Sequence, residues 1–128
     1  MKIELNIKTI NISNNIEEGY KMIAFGDNEE ESNIENYLIV QRANMFDEQD
    51  KQLEMDSYYL EYNDQSNSGY GICKEVILDS NKISFNFPSN KDSEIENITL
   101  KLESKDYDKD KLKQYLKEIL GEVLNIKL

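Results

Sequence analysis

Apolar residues in this chain alternate with polar ones over short segments, and this pattern constrains the fold more than any other feature. A period of two is typical of a strand with one buried face. The alternating segments are 3–7, 83–87 and 98–102, and apolar or strand-like runs lie at 20–25, 37–40, 57–62 and 70–78. Short strands joined by polar turns favour antiparallel pairing.

The period changes near the C-terminus. Apolar residues there recur at helical spacing, which indicates one amphipathic helix with the stripe Leu112, Tyr115, Leu116, Ile119, Leu120 and Val123. Asp108 is predicted as its N-cap, with Asp106 as the rival. Gly121 lies inside the stripe, where it either costs about 1 kcal/mol of helix stability relative to Ala or allows close packing on a sheet. Residues 124–128 form a tail or a short strand.

These periods predict an α+β fold, with a curved, mainly antiparallel β-sheet and the C-terminal amphipathic helix packed on one face. The chain has 128 residues and no visible linker or repeat, so we expect a single domain over residues 1–128. Polar clusters predict turns at 11–15, 63–69 and 79–82. The middle cluster is expected to be the loop of a hairpin formed by the strands on either side of it. Residues 44–56 are polar and irregular.

The chain is strongly acidic, with a formal net charge of −11 and a pI near 4.4. A field of this sign repels nucleic acid and anionic membranes, and it attracts basic proteins. We therefore expect a basic protein partner, with neither a nucleic acid nor a membrane as partner. The competing interpretation of each single carboxylate is a solvated group that keeps the protein soluble.

The single cysteine, Cys73, excludes an internal disulfide, and nothing indicates an oxidising compartment. The first residues alternate rather than forming an apolar signal run. No stretch approaches the length of a transmembrane helix. We therefore expect a cytoplasmic protein.

The chain contains no histidine, which removes histidine-based triads, general bases and metal ligands. Cys73 has no histidine to activate it and is interpreted as an ordinary strand residue. The acidic clusters at 27–31 and 47–50 lack the spacing of a calcium loop, so only weak, unspecific divalent binding stays open. We predict no catalytic residue, no cofactor and no specific metal site. An enzyme acting through carboxylates is the lowest-ranked alternative.

Tyrosines in the segment 57–62 indicate a binding surface. Because side chains alternate along a strand, Tyr58, Leu60 and Tyr62 share one face. Tyr59 and Glu61 share the other face, which points outward if the first set is core. Tyrosine is a common interface anchor, since it combines a large rigid area with a hydroxyl group. The alternative is that these tyrosines only fill and cover the sheet.

The same region carries a resemblance to a known family. Its motifs are Phe-Asp-Glu-Gln-Asp at 46–50, Tyr-x-x-Glu at 58–61 and Gln-x-x-Ser-x-Tyr-Gly at 65–71, with Tyr-Leu-Ile-Val-Gln at 37–41. As a set, they resemble immunity protein family ten of bacterial polymorphic toxin systems. One departure follows Gly71, where a second glycine is expected before Ile72.

The resemblance implies a non-enzymatic immunity protein that binds and neutralises the C-terminal domain of a cognate toxin. The acidic charge, rather than the resemblance, suggests that this toxin is basic, for example a nuclease whose substrate-binding surface is occupied. The alternative function is an acidic nucleic-acid mimic that inhibits a host or phage protein. Such a mimic would space its carboxylates like phosphates along one face.

Three segments make up the predicted binding surface: residues 44–59, the hairpin loop around 65–70 and the acidic loop 27–31. The candidate partner-binding residues are Glu29, Glu30, Glu31, Asp47, Glu48, Asp50, Tyr59, Glu61, Gln65 and Tyr70.

Overall fold

A computed structural model describes residues 1–45, 48–52, 57–88, 94–104 and 106–127. The strands are β1 (Lys2–Ile7), β2 (Thr9–Asn15), β3 (Tyr20–Gly26), β4 (Tyr37–Ala43), β5 (Tyr59–Tyr62), β6 (Asp64–Tyr70), β7 (Glu75–Asp79), β8 (Lys82–Asn86), β9 (Asn97–Leu102) and β10 (Leu124–Lys127). The α-helices are α1 (Glu48–Gln52) and α2 (Lys109–Leu120), and short 3₁₀ turns lie at Glu31–Asn33 and Gly121–Val123.

The described strands form two five-stranded sheets. In the mixed sheet the order is β1-β9-β8-β7-β10, and both edge strands run parallel to their neighbours while the inner pairs are antiparallel. In the antiparallel sheet the order is β2-β3-β4-β5-β6. The chain therefore passes from the first sheet to the second at Lys8 and returns through residues 71–74.

The two sheets and α2 share one core of buried apolar side chains, supplied by alternate residues of the strands. The antiparallel sheet contributes Ile23, Phe25, Leu38, Val40 and Leu60. The mixed sheet contributes Leu5, Ile7, Val76, Ile83, Phe85, Ile98, Leu100 and Leu102. The helix α2 contacts β2, β3 and β4 and adds Leu112, Leu116, Ile119 and Leu120.

The predicted C-terminal helix is confirmed, and two residues set its ends. Asp108 is the N-cap, because its Oδ1 accepts hydrogen bonds from the backbone N–H groups of Asp110 and Lys111 at 3.0 and 3.1 Å. Gly121 has φ +64°, a left-handed conformation that favours glycine. It therefore terminates α2 instead of continuing it, and the apolar pattern runs on into β10.

Two of the predicted turns are strands instead. Residues 11–15 belong to β2, and residues 64–70 form β6, which pairs with β5 directly after Asn63. The hairpin is therefore β5–β6, and residues 75–79 lie in the other sheet. Both misassigned segments are edge strands of the antiparallel sheet. Small polar side chains are tolerated at an edge, where one side of the strand stays open to solvent.

The α+β class is confirmed, and β4 lies at the centre of the antiparallel sheet. The division of the strands between two sheets is not visible in the sequence, because alternate burial looks the same in either sheet. The segment predicted to be irregular contains the short helix α1. No helix in the described ranges is long and apolar enough to cross a membrane.

We expect Leu116→Ala to lower the free energy of unfolding by about 2–5 kcal/mol, because this side chain is fully buried in the core. Gln114 lies on the exposed side of the same helix, so Gln114→Ala should change the free energy of unfolding by less than about 0.5 kcal/mol. Chemical denaturation of both variants measures the difference. Equal losses would contradict the packing of α2 through this face.

Candidate functional site

The outward face of the mixed sheet is an ordinary solvated surface. Charged residues alternate there with the core residues, namely Lys2, Glu4, Glu75, Asp79, Lys82, Lys101 and Lys127. Glu4 and Lys101 form an ion pair across β1 and β9, with 2.6 Å between Oε1 and Nζ. Such interleaved charges are what one solvated side of a sheet normally carries.

The outward side of the antiparallel sheet has a different composition, and we call it the outer face. It consists of Asn11, Ser13, Asn15, Tyr20, Met22, Ala24, Tyr37, Ile39, Gln41, Ala43, Tyr59, Glu61, Ser68 and Tyr70. These residues alternate with the buried ones, and α2 lies against the opposite side of the sheet. Glu61 is the only charged residue of the outer face, although the chain has 26 acidic and 15 basic residues.

Glu61 is held in place by tyrosines from two strands. The Tyr37 hydroxyl donates to its Oε2 at 2.6 Å, and the Tyr59 hydroxyl donates to its Oε1 at 2.7 Å. The Tyr59 ring also contacts the Tyr70 ring, with centroids 5.3 Å apart and planes tilted by 56°. Two tyrosine hydroxyls therefore hold one half-buried carboxylate, and the ring of a third tyrosine packs against one of them.

These contacts raise the pKa of both phenols. The hydrogen bond to the Glu61 carboxylate, together with partial burial, raises the pKa of Tyr37 to about 12. Partial burial also raises the pKa of Tyr59, where the bond to Glu61 acts in the same direction and a bond with Ser68 opposes it. At neutral pH both hydroxyls are hydrogen-bond donors, so they fix the orientation of the carboxylate.

The acidic loop between β3 and β4 borders one end of the outer face. Thr9 points outward, and its Oγ1 donates to the carbonyl of Asn28 in this loop at 2.7 Å. Gly26 also points outward, and a Cβ there would lie 2.8 Å from Cδ1 of Ile34. The loop therefore folds over the outer side of the sheet. It presents Glu29, Glu30 and Glu31, all of which are exposed.

Asparagines tie this loop to the β5–β6 turn beside Tyr37. Asn63 accepts the Tyr37 backbone N–H at 2.7 Å and donates its side-chain N–H to Oδ1 of Asn36 at 2.8 Å. Asp27 accepts bonds from Asn36 and from the Glu35 backbone at 2.9 and 3.0 Å. Partial burial acts to raise the pKa of Asp27, but these bonds outweigh it and lower the pKa. The acidic loop is thus a fixed border of the outer face.

The structure brings together Tyr59, Glu61 and Tyr70 from the predicted set. Glu29, Glu30 and Glu31 lie at one end of the sheet, whereas Glu48 is exposed in the β4–β5 connection at the other end. The length of β4, about 20 Å, separates the two ends. Gln65 is exposed on the part of β6 that lies beyond the register shift after Glu61. Asp47 and the side chain of Asp50 lie outside the described residues.

Sequence analysis missed Tyr20, Met22, Tyr37 and Ile39 as members of the same face. Residues 37–40 form a continuous apolar run, so their outward and inward members cannot be separated without the strand register. The usable signal was the absence of any charge from residues 37–41 in a chain in which 32% of residues are charged.

Beneath the outer face, Tyr58 and Cys73 are structural. The Tyr58 side chain is buried, and its hydroxyl accepts the Cys73 backbone N–H at 2.8 Å. Burial raises the pKa of the Cys73 thiol to about 11, which keeps it protonated at neutral pH. Among the residues that the structure describes, no three side chains of the Asp, Glu, Cys or His type cluster as metal ligands.

Residues 6–110 match the family described as Immunity protein 10. The chain belongs to the Immunity protein 10 family. The matched range contains the whole antiparallel sheet, and therefore the outer face, and it confirms the resemblance carried by the motifs between residues 37 and 71. No curated protein and no solved structure matches the chain significantly.

We expect Tyr37 to titrate later than an ordinary tyrosine, whose pKa is about 10. Because the folded-state pKa is raised to about 12, this hydrogen bond contributes its full stability below about pH 10 and loses it as the pH rises through about 12. Ultraviolet absorbance of tyrosinate measures the titration. Tyr37→Phe should remove one tyrosine from the late part of the titration, to which the buried Tyr58 also contributes. Glu61→Gln should move the Tyr37 step to lower pH. An unchanged titration in Glu61→Gln would contradict the assigned cause.

Proposed function

We propose that this chain is the immunity protein of a polymorphic toxin system, and that it binds and neutralises the C-terminal domain of its cognate toxin in the cytoplasm of the producing cell. The outer face is the observation that carries this proposal. Interface cores are depleted of charged residues and enriched in tyrosine and methionine. The outer face has this composition, whereas the mixed sheet of the same chain does not.

The dimensions of the outer face support a composite interface. Five strands about 4.8 Å apart and about 20 Å long give a flat area of roughly 400 Å². A standard interface buries about 800 Å² on each partner. The outer face therefore supplies the centre, and its borders must supply the remainder. We propose that the remaining interface area comes from the acidic loop with Glu29, Glu30 and Glu31 at one end of the outer face, and from α1 with Glu48 at the other end.

In this arrangement the centre of the interface provides the affinity, and its border increases the association rate. Tyrosine rings that become buried at the centre provide affinity, because aromatic anchors dominate the energetics of interfaces. Carboxylates at the border accelerate association with a domain of opposite charge. We propose that the toxin domain is basic, for example a nuclease, and that the immunity protein is a non-enzymatic inhibitor.

The alternative function, an acidic mimic of nucleic acid, has less support. A mimic needs carboxylates repeated along one face, as phosphates are. In the described strands, the mixed sheet interleaves lysines with its carboxylates, and the outer face carries Glu61 alone. The acidity of the chain is thus spread over borders and loops.

The test of the proposed function is co-expression with the toxin domain encoded beside this chain, combined with a tagged pull-down washed at rising salt. We expect growth to be restored and one toxin domain to be retained in stoichiometric amount. Mass spectrometry identifies the retained protein. No stoichiometric partner, or several unrelated nucleic-acid-binding proteins, would instead favour the mimic.

We predict that reversing the charge of Glu29, Glu30 and Glu31 to lysine slows association with the toxin domain at low salt while the fold survives. The reason is loss of attraction at the border of the interface, which salt screens. Stopped-flow measurements at several salt concentrations give the rate.

The matched control is the triple variant Asp79→Lys, Asp106→Lys and Glu122→Lys, which changes three exposed residues elsewhere and alters the net charge equally. It should slow association less. Equal slowing in both variants would mean that only total charge matters, and an unchanged rate would remove the acidic loop from the interface.

A further inference from the structure

We infer that the Glu61 carboxylate receives one basic side chain, an arginine, from the bound partner. This inference rests on the proposed function, because it names the contact that the partner makes at the centre of the outer face. It adds a definite chemical requirement to a surface that is otherwise neutral.

The hydrogen bonds of Glu61 leave room for this contact. A carboxylate has about four acceptor positions, two on each oxygen. Tyr37 occupies one position on Oε2, and Tyr59 occupies one on Oε1. One position therefore stays open on each oxygen. A guanidinium group donates two parallel N–H bonds, one to each oxygen, whereas a lysine ammonium acts as a point charge.

The surroundings of Glu61 also suit a guanidinium group. Planar cations stack on aromatic faces, and Tyr59 and Tyr70 form a tilted pair beside the carboxylate. Tyr70 is 39% exposed, so part of its ring is open to a partner. In the described part of the chain, the ion pairs are Lys8–Glu103, Lys21–Glu118 and Lys101–Glu4, and none of them includes Glu61.

Burial of the outer face makes a cation necessary. A partner that covers this face removes Glu61 from water, and a buried charge is costly unless it is paired. The two tyrosine hydroxyls are neutral, so they orient the carboxylate without compensating its charge. A partner that brings an arginine satisfies both oxygens, whereas a partner without one is penalised. Glu61 would thereby act as a selectivity element within a neutral face.

The experiment measures binding of the toxin domain encoded beside this chain to Glu61→Gln and to the wild type. The variant keeps the shape of the side chain and removes its charge. We expect at least tenfold weaker binding, mainly through faster dissociation. Glu122→Gln removes one charge from an exposed residue outside the proposed interface and should leave the dissociation rate nearly unchanged.

Arginine-to-glutamine substitutions in the toxin domain identify the partner group. One of them should weaken binding as much as Glu61→Gln does, and combining the two should add little, as expected for residues in direct contact. Circular dichroism shows whether Glu61→Gln is folded. If it is not, Tyr59→Phe serves as the second test. This second variant retains the carboxylate but loses one orienting bond, and it should weaken binding several-fold.

Each contrary result has a distinct meaning. If Tyr59→Ala weakens binding and Glu61→Gln does not, the outer face is the interface, but the partner places no arginine on Glu61. If neither substitution weakens binding of a wild type that neutralises the toxin, neutralisation stands, but the outer face is not the centre of the interface and this inference fails. If the free chain forms a dimer and Tyr59→Ala disrupts it, the outer face binds a second copy of this chain. A wild type that neither binds nor neutralises would remove both proposals.

Discussion

The single apolar core shared by two sheets and α2 is the constraint on which the rest of the structure depends. Because side chains alternate along a strand, burial of Phe25 and Leu38 decides which residues of β3 and β4 face outward. A register shift by one residue would exchange the two sides and bury Tyr37 in place of Leu38. The outer face is therefore determined as strictly as the core that lies beneath it.

Part of this fold could be predicted from periodicity, because burial on one side leaves a direct trace in the sequence. The alternation of residues 3–7 and 98–102 and the helical stripe of α2 are confirmed. The edge strands β2 and β6 could not be recognised, since asparagine and serine favour turns but are also tolerated at edges. Pairing of β10 with β7 depends on contacts between segments that are distant in the sequence, so no local pattern predicts it.

The candidate site was predictable to the same extent. Alternation within β5 placed Tyr59 and Glu61 on one side, and the structure has them there. Tyr37 lies 24 residues before Glu61, so their hydrogen bond exists only once β4 and β5 are in register. The position of the acidic loop over the outer side of the sheet likewise depends on Gly26 and Thr9, whose contacts a linear pattern does not reveal.

The edges of the antiparallel sheet bear on whether the free protein stays dispersed at high concentration. An exposed, tyrosine-rich sheet face is an aggregation hazard when neighbouring chains can extend the sheet from its edges. Here the register is shifted between β5 and the edge strand β6, and an irregularity of this kind hinders further strand pairing at that edge. Together with mutual repulsion at a net charge of −11, this irregular edge opposes polymerisation. The free protein is thereby protected against precipitation even when it accumulates.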